Sequence, residues 1–320
     1  MTMTHKPRVL VLGGSGFVGR HVCEHLVRAG CEVTVPTRRP DRASSVQTLP
    51  GVTVLRASVH DDATLQSLVA GQDVVINLIA ILHGSAAQFE AAHVQLPQRL
   101  ARAMQAAGVR RLVHVSALGA DAQGPSQYQR SKGRGEEVLR QADLALTVLR
   151  PSVIFGAEDR FLNLFARLQR LAPLLPLAGG RTRFAPVWVV DVARALVHCA
   201  LHPQTAGQTY EACGPEVFTL AQLVRLSGQW AGICGGRGRA VISLPLWMGY
   251  PQALLMEMLP GEPLMSRDNL ASMRVDNVAS GELPGLQALE IEPAALQAVA
   301  PQYLALCGPR SHLERYRKTH

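Results

Sequence analysis

The sequence predicts an α/β protein, with a doubly wound, mostly parallel sheet in its first half and a smaller C-terminal α/β cap domain after it. Three observations carry this. Short β-branched runs alternate with amphipathic stretches from residue 8 to residue 150, the sequence form of repeated βαβ units. A cluster of glycines follows the first run and opens the first amphipathic stretch. After Pro151 the alternation loosens and prolines and glycines become frequent. A length of 320 residues suits about two domains, expected at 1–155, with part of 185–215 completing the sheet, and at 156–320.

Arg8 to Leu12 is the first predicted strand, and Phe17 to Ala29, with apolar residues at helical spacing, the helix after it. Glu32 to Val35 and Val52 to Arg56 are the next strands, Ala63 to Ala70 a short helix, and Asp73 to Ile79 a fourth strand. A long helix is expected from Ala87 to Ala107, with Gly108 as its C-terminal cap. Arg111 to Val115 is the fifth strand, Ser126 to Gln141 a helix, and Ala145 to Leu149 the sixth strand. In such a sheet a ligand lies at the carboxyl ends of the strands, at the topological switch point. Beyond Pro151, Arg160 to Leu171, Val192 to Leu201 and Leu220 to Ala231 read as helices and Val187 to Val190 as a strand. Pro173, Pro176, Gly179 and Gly180 mark a loop, and Gly235, Gly236 and Gly238 with Arg237 and Arg239 a flexible basic one.

Composition narrows the function classes. Hydrophobic residues make 48% and charged residues 18% of the chain, as in ordinary globular proteins and unlike disordered ones. The longest apolar stretch, Val74 to Leu82, is too short for a transmembrane span, and the first eight residues do not read as a secretory signal, so a cytoplasmic location is expected. The net charge is +8, part of it from a tail in which Arg310, Arg315, Arg317 and Lys318 outweigh Glu314. No aromatics interleave with the arginines, so nucleic acid is not an expected partner. Six cysteines, Cys23, Cys31, Cys199, Cys213, Cys234 and Cys307, lack any C-x-x-C pair and read as small buried thiols; no metal is expected.

Gly13, Gly16 and Gly19, with Gly14, form G-x-x-G-x-x-G between the first strand and its helix. Glycines there permit a tight turn and a close approach to a pyrophosphate, whose charge is met by helix N-terminal amides. The second strand ends in Thr37, Arg38 and Arg39 where a carboxylate would hold the ribose hydroxyls of NAD. A guanidinium pairs with a 2′-phosphate and cannot accept from a hydroxyl, so NADP(H) is favoured over NAD(H). Tyr128 and Lys132 form Y-x-x-x-K on one helix face, and Lys132 is the one lysine between residues 7 and 317. A neighbouring ammonium stabilises a phenolate and so lowers the tyrosine pKa toward proton transfer. Ser116, closing the fifth strand, places a hydroxyl near the cofactor.

Gly13 to Arg20 (GGSGFVGR), Val113 to Ala120 (VHVSALGA), Tyr128 to Lys132, Arg150 to Gly156 (RPSVIFG), Glu158 to Asn163 (EDRFLN) and Pro186 to Ala193 (PVWVVDVA) resemble the extended and atypical short-chain dehydrogenase/reductase superfamily of the epimerase/dehydratase type. More narrowly, they resemble the nucleotide-binding accessory subunit of respiratory complex I and its bacterial relatives. The resemblance covers residues 8 to 215 and is loose after that. It implies a Rossmann domain, a small substrate domain and a bound NADP(H), with cofactor contacts at Gly13, Ser15, Gly16, Phe17, Val18, Gly19, Arg38, Leu78, Ile79, Ala80, Ser116, Tyr128, Lys132, Pro151 and Ile154. It also implies catalytic work by Tyr128, Lys132 and Ser116. The chain departs from the pattern twice. Ala117 and Leu118 stand where catalytic members carry a substrate-polarising hydroxyl, and Ala57-Ser58 replaces a Gly-Asp whose carboxylate meets the adenine, leaving Ser58 as a weaker partner.

Asp191 reads as the N-cap of the helix after it. His83, His93, His114 and His198 share no motif and read as surface or satisfied core histidines. Trp247, Met248, Tyr250, Leu254, Leu255, Met256 and Met258 read as cap-domain core; if exposed, they suit an anionic membrane surface or a partner subunit. Two functions stand side by side. One is an oxidoreductase or epimerase-like enzyme acting on a hydroxyl or carbonyl substrate. The other is a non-catalytic nucleotide-binding accessory or assembly factor of a respiratory or quinone-related system, peripheral at the inner face of the membrane.

Overall fold

A computed structural model describes residues 6–257 and 265–305. Its strands are β1 (Arg8–Leu12), β2 (Glu32–Thr37), β3 (Val52–Arg56), β4 (Val74–Asn77), β5 (Arg111–Val115), β6 (Ala145–Pro151), β7 (Ile154–Phe155), β8 (Leu174–Ala178), β9 (Arg183–Phe184), β10 (Val187–Trp188), β11 (Thr209–Ala212), β12 (Phe218–Thr219) and β13 (Ala240–Leu244). The α-helices are α1 (Phe17–Arg28), α2 (Ser44–Gln47), α3 (Asp62–Val69), α4 (Ala86–Glu90), α5 (Leu96–Ala106), α6 (Gln127–Gln141), α7 (Leu162–Leu171), α8 (Val189–Leu201), α9 (Leu220–Trp230), α10 (Gly249–Glu257), α11 (Arg267–Ser272) and α12 (Leu296–Leu304).

The chain divides into two compact units. The first, residues 6–151, 189–212 and 280–292 of those described, is built on a seven-stranded sheet in the order β11-β6-β5-β4-β1-β2-β3, with every pairing parallel. Parallel strands need crossovers, and the helices that make them cover the sheet, which is why all four residues of β4 and Val9 to Leu12 of β1 are buried. Leu10, Leu12, Val75, Leu96, Leu100, Met104, Leu112 and Leu139 form one core cluster, each fully buried aliphatic side chain contributing about 1.5–3 kcal/mol. Strand order reverses at β1 and β4, so the switch point lies between their carboxyl ends.

The second unit, residues 152–188, 213–257, 265–279 and 293–305 of those described, pairs β7 with β10, β8 with β13 and β9 with β12, the last pair antiparallel. Phe155, Leu162, Phe218, Leu223, Leu296 and Leu304 pack in its main core. Asp159 is buried because its carboxylate closes the start of α7, accepting from the amides of Phe161 at 2.9 Å and Leu162 at 2.7 Å and from the Tyr303 hydroxyl at 2.8 Å.

The structure departs from the sequence-based expectation at definite places. The long helix between β4 and β5 is interrupted: α4 passes through a π-turn, Ala91–Gln95, into α5. The helix expected from Val192 begins at Val189, which puts Asp191 in its first turn rather than at its cap, beside Arg194 at 3.5 Å. Cys23, Cys31 and Cys199 are buried, but Cys213 is half-buried and Cys234 exposed in its glycine-rich loop. Trp247, 71% exposed, with Met248 and Leu254, lies on the surface and not in a core. Cys307, Met258 and the basic tail lie outside the described residues. Among the described residues no helix is long and apolar enough to cross a membrane, and no cluster of three metal-ligating side chains occurs.

Candidate functional site

At the carboxyl end of β1 the chain turns through Gly13, whose φ of +84° is a left-handed conformation that glycine adopts without strain. Gly14 donates to Val11 O at 3.2 Å and Gly16 to Gly13 O at 3.0 Å, and α1 starts at Phe17. No side chain caps α1 and no acidic residue stands in its first turn, so an anion finds the positive end of the helix dipole unopposed. Gly19 lets α1 touch the turn: a Cβ there would overlap the carbonyl oxygen of Gly13 and lie 2.6 Å from Gly14 Cα. Ser15, Phe17 and Val18 are partly exposed around this turn and Gly16 is exposed.

Thr37 ends β2, and its hydroxyl accepts from the Arg39 amide at 3.2 Å. Arg38 and Arg39 are exposed, and neither guanidinium forms an ion pair among the described residues. Two residues past β3, the Ser58 hydroxyl accepts from the His60 amide at 3.4 Å.

The segment after β4, Leu78 to Ile81, is tied down amide by amide. Leu78 N donates to Leu12 O at 2.9 Å, Ile79 N to Asn77 Oδ1 at 3.1 Å, and Ile81 N to His93 Nε2 at 3.1 Å. Asn77 is fully buried, its amide nitrogen 3.2 Å from His114 Nδ1. Ala80, between the tethered amides, is exposed.

Ser116 follows β5, and its Oγ is buried with no hydrogen-bond partner among the described residues. Ala117 and Leu118 after it are buried and apolar. Their loop packs onto α6, which Ser126 caps by accepting from Gln129 N at 3.1 Å. Lys132 on that helix is buried, and its Nζ donates to Val115 O at 2.7 Å; burial lowers its pKa to about 8, against the pull of Glu136 one turn on. Tyr128 packs edge-on against His93, centroids 5.6 Å apart, and against Phe89 at 6.2 Å. Burial pushes its phenol up to about 12, opposite to the lowering expected from an adjacent ammonium; the Lys132 Nζ donates instead to the strand-end carbonyl of Val115. As it stands the tyrosine is a proton donor.

The first unit thus contains the expected residues of the glycine turn, the β2 and β3 ends, the β4 segment, Ser116, Tyr128, Lys132 and Pro151, which ends β6; Ile154 lies on β7 in the second unit. Sequence reasoning passed over Asn77 and Glu136, and it read His93 as a surface or satisfied core histidine, which its burial and two ring hydrogen bonds bear out. A Lys132-Glu136-Arg140 ladder at i, i+4 was the available signal for Glu136. The residues fit a dinucleotide: the glycine turn leaves no room for a Cβ at Gly19, the Ser116 hydroxyl is buried and unsatisfied, and a buried ammonium stands one helix away. Gly13 to Gly19 would hold its pyrophosphate, Arg38 its ribose phosphate, and Ser116, Tyr128 and Lys132 its nicotinamide half.

The buried histidines set an acid limit. Desolvation, followed by repulsion from Lys132, lowers His93 to about 3 and His114 well below its usual value. The unfolded chain, with histidines near 6.5, then binds more protons, so stability is lost as pH falls from about 6.5 toward 3. His93 alone accounts for about 2 kcal/mol between pH 7 and pH 5, and His114 adds in the same direction. Denaturant midpoints measured at both pH values check this, and equal stability would contradict neutral buried rings.

A family profile described as NAD(P)H-binding matches residues 13–165. The mitochondrial NADH dehydrogenase (ubiquinone) 1 alpha subcomplex subunit 9 of Mus musculus is 34% identical over 300 residues, covering 90% of this chain and 77% of that protein. A ceramide reductase of Caulobacter vibrioides is 31% identical over 191 residues, 59% of each chain. The NADPH complex of a quinone oxidoreductase from Escherichia coli superposes with a TM-score of 0.75 at 20% identity, covering 92% of this chain and 99% of that one, a likeness of fold. With a parallel nucleotide-binding sheet, a tight glycine turn and this extent of identity, the chain belongs to the family of NADH dehydrogenase (ubiquinone) 1 alpha subcomplex subunit 9.

Proposed function

We propose that the protein is an NADP(H)-holding accessory or assembly factor of a respiratory, quinone-linked complex, keeping its nucleotide for structure or redox sensing rather than turning it over. The observation that carries this is the loop after β5: Ala117 and Leu118 are apolar and buried where a substrate carbonyl would need a hydroxyl. The mitochondrial relatives, subunits of NADH dehydrogenase by name, support the same reading. NADP(H) is favoured by Arg38 and Arg39, whose guanidinium groups are exposed at the end of β2. Attachment to a complex at the inner, cytoplasmic face of the membrane is supported by an apolar surface in the second unit. There Leu174, Pro176, Ala240, Ile242, Trp247 and Met248 are all exposed, and Arg170 and Arg237 are exposed close to them in sequence.

The test is the nucleotide content of the purified protein. Tightly held NADPH that quinones and ketones fail to discharge is expected, and an empty protein that turns over would sink the reading. Arg38→Glu is expected to weaken NADPH about 10- to 100-fold, the worth of a charge-assisted hydrogen-bonded pair, with NADH barely affected. Competitive titration of the two nucleotides reads it.

A second reading, a carbonyl reductase, is favoured by the Tyr128 and Lys132 pair on α6, since reduction needs an acid at the carbonyl oxygen and Tyr128 carries the phenol that would supply it. A bound nicotinamide would supply the hydride. Under this reading Tyr128→Phe lowers turnover at least 100-fold with NADPH affinity kept; under the first it leaves nothing to lose but binding.

A further inference from the structure

The mechanism of nucleotide holding leaves one buried, fully hydrogen-bonded side chain unexplained. His93 sits in the π-turn between α4 and α5, and its two ring nitrogens face different elements. Because the Ile81 amide can only donate, Nε2 accepts from it and the ring proton is on Nδ1, which donates to Ser131 Oγ at 2.8 Å. Ser131 Oγ in turn donates to the carbonyl of Tyr128 at 2.9 Å. The ring edge packs against the Tyr128 ring, and α6 is pressed onto the π-turn at Gly135, where a Cβ would overlap the His93 carbonyl oxygen. An ordinary α-turn would present the next side chain about 100° away, so the π-turn places this ring between the two elements.

We propose that His93 is a positioning residue, a neutral strut that makes the segment after β4 and the Tyr128 turn of α6 move as one body, so that a nucleotide seated along the first orders the second. This rests on the nucleotide reading above. Burial, followed by repulsion from Lys132, lowers the His93 pKa to about 3, so the strut is neutral near pH 7; the groups facing it are Lys132 from α6, the Tyr128 phenol and His114 from β5.

Backbone amide exchange of the full chain tests it, with and without NADPH. In the free protein, His93→Phe keeps the ring packing but removes both hydrogen bonds, and Ile81 is expected to exchange at least tenfold faster. His93→Gln, which carries one donor and one acceptor, is expected to restore Ile81 to within threefold of the parent. Ser131→Ala should leave Ile81 protected. With NADPH, the parent should gain protection at both 78–82 and 127–133; because Tyr128 and Lys132 are themselves placed at the nicotinamide half, Ser131→Ala and His93→Phe should keep the gain at 78–82 and lose most, but not all, of it at 127–133. Unchanged Ile81 exchange in His93→Phe, or retained joint protection in both variants, overturns the strut. Failure of the parent protein to bind NADPH overturns the nucleotide reading instead, leaving the free-protein comparison in force.

Discussion

Gly19→Ala is expected to cost about two orders of magnitude in NADPH affinity. The added methyl meets backbone, the Gly13 carbonyl oxygen and Gly14 Cα, and not the yielding end of a flexible side chain. Overpacking of this kind costs ~1–3 kcal/mol, and it is relieved only if α1 backs away from the turn, which carries its N-terminal amides out of reach of the pyrophosphate. Gly30→Ala is the control. Its φ of +81° makes alanine strained by about 1 kcal/mol, but nothing lies within 4 Å of the new methyl. Fluorescence titration with NADPH and thermal unfolding should therefore separate the variants: both less stable, only Gly19→Ala weak in binding. Equal affinities would show that the glycine turn does not face the nucleotide.

Glu136→Gln is expected to destabilise the first unit strongly. Its buried carboxylate holds Arg150 through both oxygens, at 2.9 and 2.7 Å, and Arg140 at 2.9 Å. Breaking a buried pair strands the remaining charge and costs about 3–5 kcal/mol, against a total of about 5–15 kcal/mol for a native domain. The change also reaches the nucleotide. Glu136 opposes the desolvation that brings Lys132 to about 8, so without it the ammonium loses its proton at lower pH. NADPH affinity should fall between pH 7 and pH 9 in the parent protein, and the fall should begin earlier in Glu136→Gln. Chemical denaturation checks the first effect, and titrations across that pH range the second. A parallel pH dependence in both would mean that Lys132 does not hold the nucleotide as a cation.

The glycine turn, Y-x-x-x-K and the strand-helix alternation were legible in the sequence because each is a local pattern imposed by backbone geometry or helical spacing. The strut was not. His93 and Ser131 are 38 residues apart, and nothing near either one marks the other. The π-turn left no trace, since apolar spacing continues through it and only the hydrogen-bond register changes. Tyr128 and Lys132 were read correctly as neighbours on one helix, but the sign of the phenol shift is set by how deeply tertiary packing buries Tyr128, against His93 and Phe89 of other elements, which helical spacing does not reveal. The exposed Trp247 looked like core because a run of large apolar residues carries no record of which of them finds a cover.

The sheet's outermost strand has a consequence for synthesis. β11 pairs with β6 but is made roughly 60 residues after it, so at ~5–20 residues per second β6 waits several seconds on the ribosome with its hydrogen-bonding edge open. An open parallel edge is a template for wrong partners. A fragment cut at residue 155 would carry that edge permanently and is expected to aggregate, whereas a cut that keeps 189–212 would let β11 cover the β6 edge.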